Sequence, residues 1–317
     1  MSATVPAERF SHEALLYADM NEYLAGTLAF IREGLAASEP ILMVVGAPKI
    51  AALKAQLGAD AERVQFRDMA EVGANPARII PAWQEFVESH APAGRLFRGI
   101  GEPVYPERSP AELVECQRHE ALLNVAFDGG PAWRLLCPYN TTALSLDVIE
   151  EAHRTHPYMA YDHTYAASGL YPAVVTTLAP FTAPLPEPTA VRATLAFSAN
   201  GLQAVRRLVS TQGARAGFTS QPIADMVMAV NEVAANSIQH GGGSGALRVW
   251  CDGDVLVCEI RDGGHFDDPL ADRRRPAATQ DGGRGLWLAN QLCDLVQLRS
   301  FPTGTIVRLH MHRDRKR

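Results

Sequence analysis

IADMVMAVNEVAANSIQHGGG, residues 223–243, decides how the second half of the chain is read. An apolar stripe at helical spacing predicts a helix over Ile223–His240, opened by Pro222 after Gln221 and stopped by Gly241-Gly242-Gly243. Within Asn231-Glu232-Val233-Ala234-Ala235-Asn236, residues Glu232 and Asn236 lie four apart on one helix face, and His240 follows four further on. A carboxylate one turn from a carboxamide can hold a hydroxyl or water together with a hydrated metal ion. The plain alternative is a polar face in solvent, with His240 favoured by the negative end of the helix dipole.

Working outward, Val191–Phe197 alternates like a strand and Gln203–Ala216 is an amphipathic helix. After the glycines, Leu247–Cys251 and Val255–Arg261 form a hairpin around Asp252-Gly253-Asp254. A helix over Leu286–Cys293 and strands at Leu295–Ser300 and Gly304–His310 follow. Helices against a mixed or antiparallel sheet make an α/β sandwich. Two further polar segments punctuate it. Arg261-Asp262-Gly263-Gly264 ends a strand, where glycines permit a tight exit and close ligand approach to the backbone. Asp281-Gly282-Gly283-Arg284-Gly285-Leu286 leads into a helix, where backbone amides suit phosphate. No dinucleotide-binding pattern surrounds it.

Taken in order, Glu232-x-x-x-Asn236, Asp262-x-Gly264, Gly283-x-Gly285-Leu286 and Gly304-Thr305 resemble the GHKL, or Bergerat-fold, family of histidine-kinase-like ATPases, and within it the anti-sigma factor serine/threonine kinases of partner switching. The resemblance implies bound ATP and Mg²⁺. Asn236 would hold Mg²⁺ through the nucleotide phosphates, and Glu232 would be the general base. Asp262 would accept from the adenine amino group beside Gly264. Gly283, Arg284, Gly285 and Leu286 would line the phosphates, and Thr305 would support the adenine side. The family's D-x-G-x-G box departs here at Phe266, and Asp268–Thr279, with Arg273, Arg274 and Arg275, would form the lid. The implied partner is a STAS-type anti-sigma-factor antagonist, a sigma factor, or both. A non-catalytic module that sequesters either one is the alternative. A two-component histidine kinase is disfavoured, because the helix Gln203–Ala216 carries no histidine.

The chain divides at Pro172, Pro180, Pro184, Pro186 and Pro188, a semi-rigid spacer. The expected domains are 1–171, a linker over 172–189, and 190–317. The first half alternates strands (Ile41–Gly46, Val64–Phe66, Leu96–Ile100, Trp133–Pro138) with helices (Glu13–Ala37, Ile50–Leu57, Ala77–Ser89, Pro110–Ala126, Leu146–His153). Ser109 is an N-cap type ahead of Pro110. The alternation predicts a three-layer α/β domain with a mostly parallel sheet. Gly46-Ala47-Pro48-Lys49 follows a strand but lacks the phosphate-loop pattern, so no nucleotide is expected there.

His12-Glu13-Ala14-Leu15-Leu16-Tyr17, Gly101-Glu102-Pro103, Glu115-Cys116-x-x-His119-Glu120-Ala121-Leu122, Cys137-Pro138-Tyr139 and Thr155-His156-Pro157 resemble the methanogen/methylotroph (MEDS) sensory domain. The resemblance implies a small-molecule ligand. His12, Cys116, His119, Cys137, His153 and His156 are the pocket candidates, and three readings stay open for them: structural packing, a ligand-sensing or redox pocket, and a bound metal.

The chain has 317 residues, 47% hydrophobic and 20% charged, enough for two well-cored domains. A net charge of −6 removes the basic footprint of a nucleic-acid binder, and the basic end Arg313–Arg317 reads as a solvated tail. No apolar run suits a membrane span, the first ten residues do not read as a secretory signal, and five cysteines suggest reduced thiols. The expectation is a cytoplasmic signalling regulator that contacts neither membrane nor nucleic acid directly. The sequence is compatible with a homodimer.

Overall fold

A computed structural model describes residues 9–91, 94, 96–161, 164–172, 178–276 and 284–314. The chain forms two compact units, Met1–Phe181 and Thr182–Arg317, so the division falls within the proline-rich stretch.

Unit 1 is built on strands β1 (Ser11–Tyr17), β2 (Ile41–Val45), β3 (Val64–Asp68), β4 (Arg98–Gly101), β5 (Arg134–Asn140), β6 (Tyr158–Tyr161) and β7 (Thr164–Ala167). They form one sheet in the order β3-β2-β4-β5-β1-β6-β7. It is parallel throughout except for the terminal β6–β7 pair. The helices are α1 (Met20–Ala36), α2 (Ala47–Leu57), α3 (Met69–Val72), α4 (Ile79–His90), α5 (Pro110–Ala126) and α6 (Leu146–Thr155). Ile100 and Leu136 join the apolar cluster built with Phe30, Ile31 and Leu53 of α1 and α2. Trp83 of α4 lies against Gly99 on the opposite face. Helices therefore cover both faces, and the unit has three layers.

One expected element is corrected. The helix predicted over Glu13–Ala37 begins only at Met20, and residues 11–17 are a buried strand between β5 and β6. The start is set by Asp19, whose carboxylate accepts from the Asn21 and Glu22 backbone N–H groups. The strand tolerates Glu13 because Arg134 on β5 donates to it twice, both at 2.8 Å. Strands β6 and β7 were not foreseen either. By contrast, α5 begins where expected, with Ser109 and Glu112 forming a capping box behind Pro110.

Unit 2 contains β8 (Ala193–Ser198), α7 (Leu202–Arg215), α8 (Ser220–His240), β9 (Ser244–Asp252), β10 (Val255–Asp262), α9 (Arg284–Leu292), β11 (Leu295–Phe301) and β12 (Gly304–His312). The sheet runs β11-β12-β10-β9-β8, and every pair is antiparallel. The three helices cover one face through Val205, Val230, Val233 and Ala289, packed on Leu247, Val249, Cys258, Ile260 and Leu309.

Charge gathers on the other face. Arg248, Glu259 and Arg308 stand in one cross-strand row. The side chain of Glu259 is fully buried; it accepts from Arg248 Nε at 3.0 Å, Arg261 Nε at 2.7 Å and Arg308 Nε at 2.9 Å. Arg248 also pairs with Glu187 at 2.7 Å, and Arg308 donates to the Pro186 carbonyl at 2.8 Å. The prolines thus do more than space the chain: they hold a strap whose polar groups are met by these arginines. All five cysteines are thiols outside any disulfide, and no helix among the described residues is long and apolar enough to cross a membrane.

Burial works to raise the Glu259 carboxyl pKa, but the three guanidiniums outweigh it and hold it below the usual range. The stability it supplies is therefore present above the ordinary carboxylate range and is lost as pH falls through its lowered folded value. Glu259→Gln is expected to destabilise unit 2 by about 3 kcal/mol, because removing one partner strands buried positive charge. Thermal unfolding of the variant at neutral pH and across the acid limb checks this.

Candidate functional site

At one end of unit 2, α8, the β10 exit, the start of α9 and the start of β12 surround a cavity of about 500 Å³. Asn236, Asp262, Gly264, Leu286 and Thr305 line it, as do Val233, His240, Phe266 and Arg274. Five of the residues expected at a nucleotide site are thus brought together from four separate segments.

Asp262 is the best-fixed group. Ser237 Oγ donates to one of its oxygens at 2.5 Å, and the Gly264 N–H donates to the other at 2.8 Å. The Gly264 carbonyl in turn accepts from Thr305 Oγ1 at 2.8 Å. A carboxylate has about four acceptor positions, so capacity remains on the cavity side. The backbone around it is too close for side chains. A Cβ on Gly304, whose φ is +145°, would sit 2.3 Å from the Asp262 carbonyl oxygen, and one on Gly241 would meet the carboxylate carbon at 2.6 Å. These glycines let the backbone segments close around Asp262 without a side chain against it.

Asn236 and Glu232 face the start of α9. A Cβ on Gly285 would lie 2.8 Å from Asn236 Nδ2 and 3.4 Å from Glu232 Cβ. Asn236 lines the cavity, whereas Glu232 is half-buried one turn away and is not among the lining residues. Arg284 is exposed as the first residue of α9 and likewise lies off the wall. Gly283 and residues 277–282 lie outside the described residues. Of the expected lid arginines, Arg274 and Arg275 line the cavity, with Arg274 paired to Asp268 at 3.0 Å, while Arg273 is buried beside Asp272. Phe266, where the family's glycine is replaced, forms part of the wall, and its N–H donates to Ser300 Oγ at 2.7 Å. Ser237 was not foreseen. Its only signal is position, one residue after Asn236 and one turn after Val233, whose carbonyl it also contacts.

In unit 1 the candidates separate. His12, Cys137 and His156 converge in the interior together with Glu120 of α5, their ligand-type atoms all within 4.8 Å of one another. Cys116 and His119 are buried on the same helix but outside that group, and His153 is half-buried outside it. Burial and the neighbouring His156 push the His12 pKa down to about 4, so this imidazole is neutral at physiological pH. Burial and the Glu120 carboxylate push the Cys137 thiol up. Glu120 carries no distinguishing signal in the sequence, because its two imidazole partners, His12 and His156, come from distant segments. Lys49, after the glycine of the discarded phosphate loop, is ion-paired to Glu102 and reaches the Tyr17 hydroxyl at 2.6 Å.

Comparison with known proteins follows the same division. A family model described as the methanogen/methylotroph, DcmR sensory domain (MEDS) matches residues 11–157, and one described as a histidine kinase-like ATPase domain matches residues 195–311. Among solved structures, the RsbU and RsbW domains of a Mycobacterium tuberculosis protein align with 20% identity and a TM-score of 0.30. The alignment covers 39% of this chain and 33% of that one, so the chain spans about a third of that neighbour's length. No curated protein matches. The chain therefore carries a MEDS domain at residues 11–157 and a histidine kinase-like ATPase domain at residues 195–311.

Proposed function

We propose that unit 2 binds ATP with Mg²⁺ and phosphorylates a serine or threonine of an anti-sigma-factor antagonist, with unit 1 supplying the signal. The observation that carries this is the Asp262 carboxylate, pinned by Ser237 and Gly264 at the wall of a 500 Å³ cavity that Asn236 also lines. Such a carboxylate accepts from an exocyclic amine, and Gly241 and Gly264 add no side chain to the cavity wall beside it. Val233, Leu286 and Val307 offer the adenine ring an apolar bed.

The residues at the other end suit a hydrated Mg²⁺. The Asn236 amide lines the cavity, and Gly285 keeps the α9 terminus close against it. Mg²⁺ there would neutralise phosphate charge during transfer. The N-terminus of α9 adds its dipole to the same end. Glu232, one turn before Asn236, is the group that takes the hydroxyl proton. The acceptor oxygen forms a bond to the γ-phosphorus, the bond to the β–γ bridging oxygen breaks, and ADP departs.

A second reading rests on Glu232 itself. It stands off the cavity wall, which also suits a module that binds nucleotide to stabilise a partner-holding conformation without transferring phosphate.

Calorimetric titration of the full chain with ATP and Mg²⁺ tests the site. Asp262→Asn and Asn236→Ala are each expected to weaken binding at least about tenfold, as loss of a charge-assisted hydrogen bond or a metal contact would. Wild-type protein that binds no nucleotide would overturn the proposal. Glu232→Gln separates the two readings. Phosphate transfer to a serine-bearing antagonist should fall by about 100-fold or more while nucleotide affinity stays within a few-fold. Unchanged transfer would remove Glu232 as the base, and absence of transfer by wild type would favour the sequestering module.

A further inference from the structure

The buried cluster in unit 1 is a site of its own. His12 on β1, Cys137 on β5, Glu120 on α5 and His156 at the end of α6 are all buried, with side chains at most about 1% exposed. His12 Nε2 lies 3.0 Å from Glu120 Oε2, His156 Nε2 lies 3.3 Å from that same oxygen, and Cys137 Sγ lies 3.4 Å from His12 Nε2.

The tautomers follow from the outer contacts. Asn124 Nδ2 donates to the Thr155 carbonyl at 2.8 Å, which orients its amide so that Oδ1 faces His12 Nδ1 at 3.2 Å. His156 Nδ1 lies 2.8 Å from the Ala152 carbonyl, which can only accept. In the neutral form both imidazoles thus carry their proton on Nδ1, and both Nε2 lone pairs then point inward at a carboxylate oxygen. In that form three acceptors converge, and among these four side chains the Cys137 thiol is the one donor. Two of the atoms show the mismatch directly: His156 Nε2 and Glu120 Oε1 are buried without a hydrogen-bond partner. Such groups are costly in a folded interior unless a cation fills the space between them.

We propose that this cluster binds one Zn²⁺-class ion through His12 Nε2, His156 Nε2, Cys137 Sγ and Glu120. Ligand bonds of about 2.0–2.3 Å in a tetrahedron place neighbouring ligand atoms about 3.3–3.8 Å apart, close to the three spacings above, while the whole set lies within 4.8 Å. Two imidazoles, a thiolate and a carboxylate select zinc over magnesium or calcium. The charges also close: Cys137 as thiolate and Glu120 as carboxylate cancel a divalent ion, leaving a neutral centre in an apolar interior. The outer contacts from Asn124 and Ala152 are the kind that orient ligating imidazoles. Asn124, which contacts His12, also lines a surface hollow of about 180 Å³. The four ligands come from β1, β5, α5 and the cap of α6, so the ion would tie the middle of the sheet to two helices on one side of it. Cys116 and His119, which share a motif with Glu120, stay outside the coordination set.

The test uses the full chain, stripped with chelator and titrated with Co²⁺ in the absence of nucleotide. One Co²⁺ per chain is expected, with the intense visible absorption of tetrahedral cobalt and a thiolate-to-cobalt charge-transfer band in the near ultraviolet, both displaced by Zn²⁺. Cys137→Ser should abolish the charge-transfer band, and Glu120→Gln should weaken affinity by more than the about 10–100-fold that losing an outer contact costs. Asn124→Ala should fall within that 10–100-fold range, and Cys251→Ser should leave the spectrum unchanged. Because the wild-type spectrum and stoichiometry are read first, poor folding of a variant does not protect the proposal. Wild-type protein that binds neither ion, or a charge-transfer band that persists in Cys137→Ser, would overturn it.

Discussion

The placement of one carboxylate organises unit 2. Asp262 ends β10 where the sheet meets α8, and its two oxygens are held by a hydroxyl from the helix and an amide from the next turn. To bring helix, strand end and the β11–β12 turn this close, the chain uses Gly241, Gly264 and Gly304 at positions where a Cβ would lie 3.0 Å or less from Asp262 or its neighbours. The cavity exists because of that backbone proximity. Any side chain at Gly304 would push β12 away from β10, and Thr305, next along the strand, would lose its bond to Gly264.

Unit 1 solves a different problem. A parallel sheet covered on both faces has no wet side for ionisable groups, yet β1, an interior strand, carries buried His12 and Glu13 near its start. Glu13 is compensated by Arg134, which also stacks over Phe30 with its guanidinium 4.9 Å from the ring centroid. His12 is answered by acceptors and a thiol, and by no permanent cation. One buried group is therefore neutralised within the chain, while the other is gathered with Glu120, Cys137 and His156, the residues proposed above to hold a divalent ion. The same contrast separates Glu259, with its three arginines, from Glu120, which has none among its close contacts.

Much of this was legible in residue order. Helix α8 and its triple-glycine stop, the β9–β10 hairpin and the capping box of α5 all follow from short-range rules: period, capping and turn chemistry. The failure at residues 11–17 is instructive. Glu13, Ala14, Leu15, Leu16 and Tyr17 run directly into the apolar positions of α1, and in a strand buried on both faces alternation disappears, so a helical period absorbs them. Only Asp19, as a cap, marks the break, and an aspartate there is easily taken for an ordinary polar position.

What the sequence determined by itself was local: elements with a clear period, their order, and the polar motifs at their ends. Those depend on neighbours within a few residues, which the chain carries in its own spacing. The tertiary structure decided which ionisable groups meet. His12, Glu120, Cys137 and His156 lie on four elements whose adjacency is set by strand order β5-β1-β6 and by the packing of α5 beside α6. The grouping of Glu259 with Arg248, Arg261 and Arg308 likewise needs the cross-strand register. No spacing along the chain encodes those meetings, because burial and pairing are properties of a folded surface brought against another.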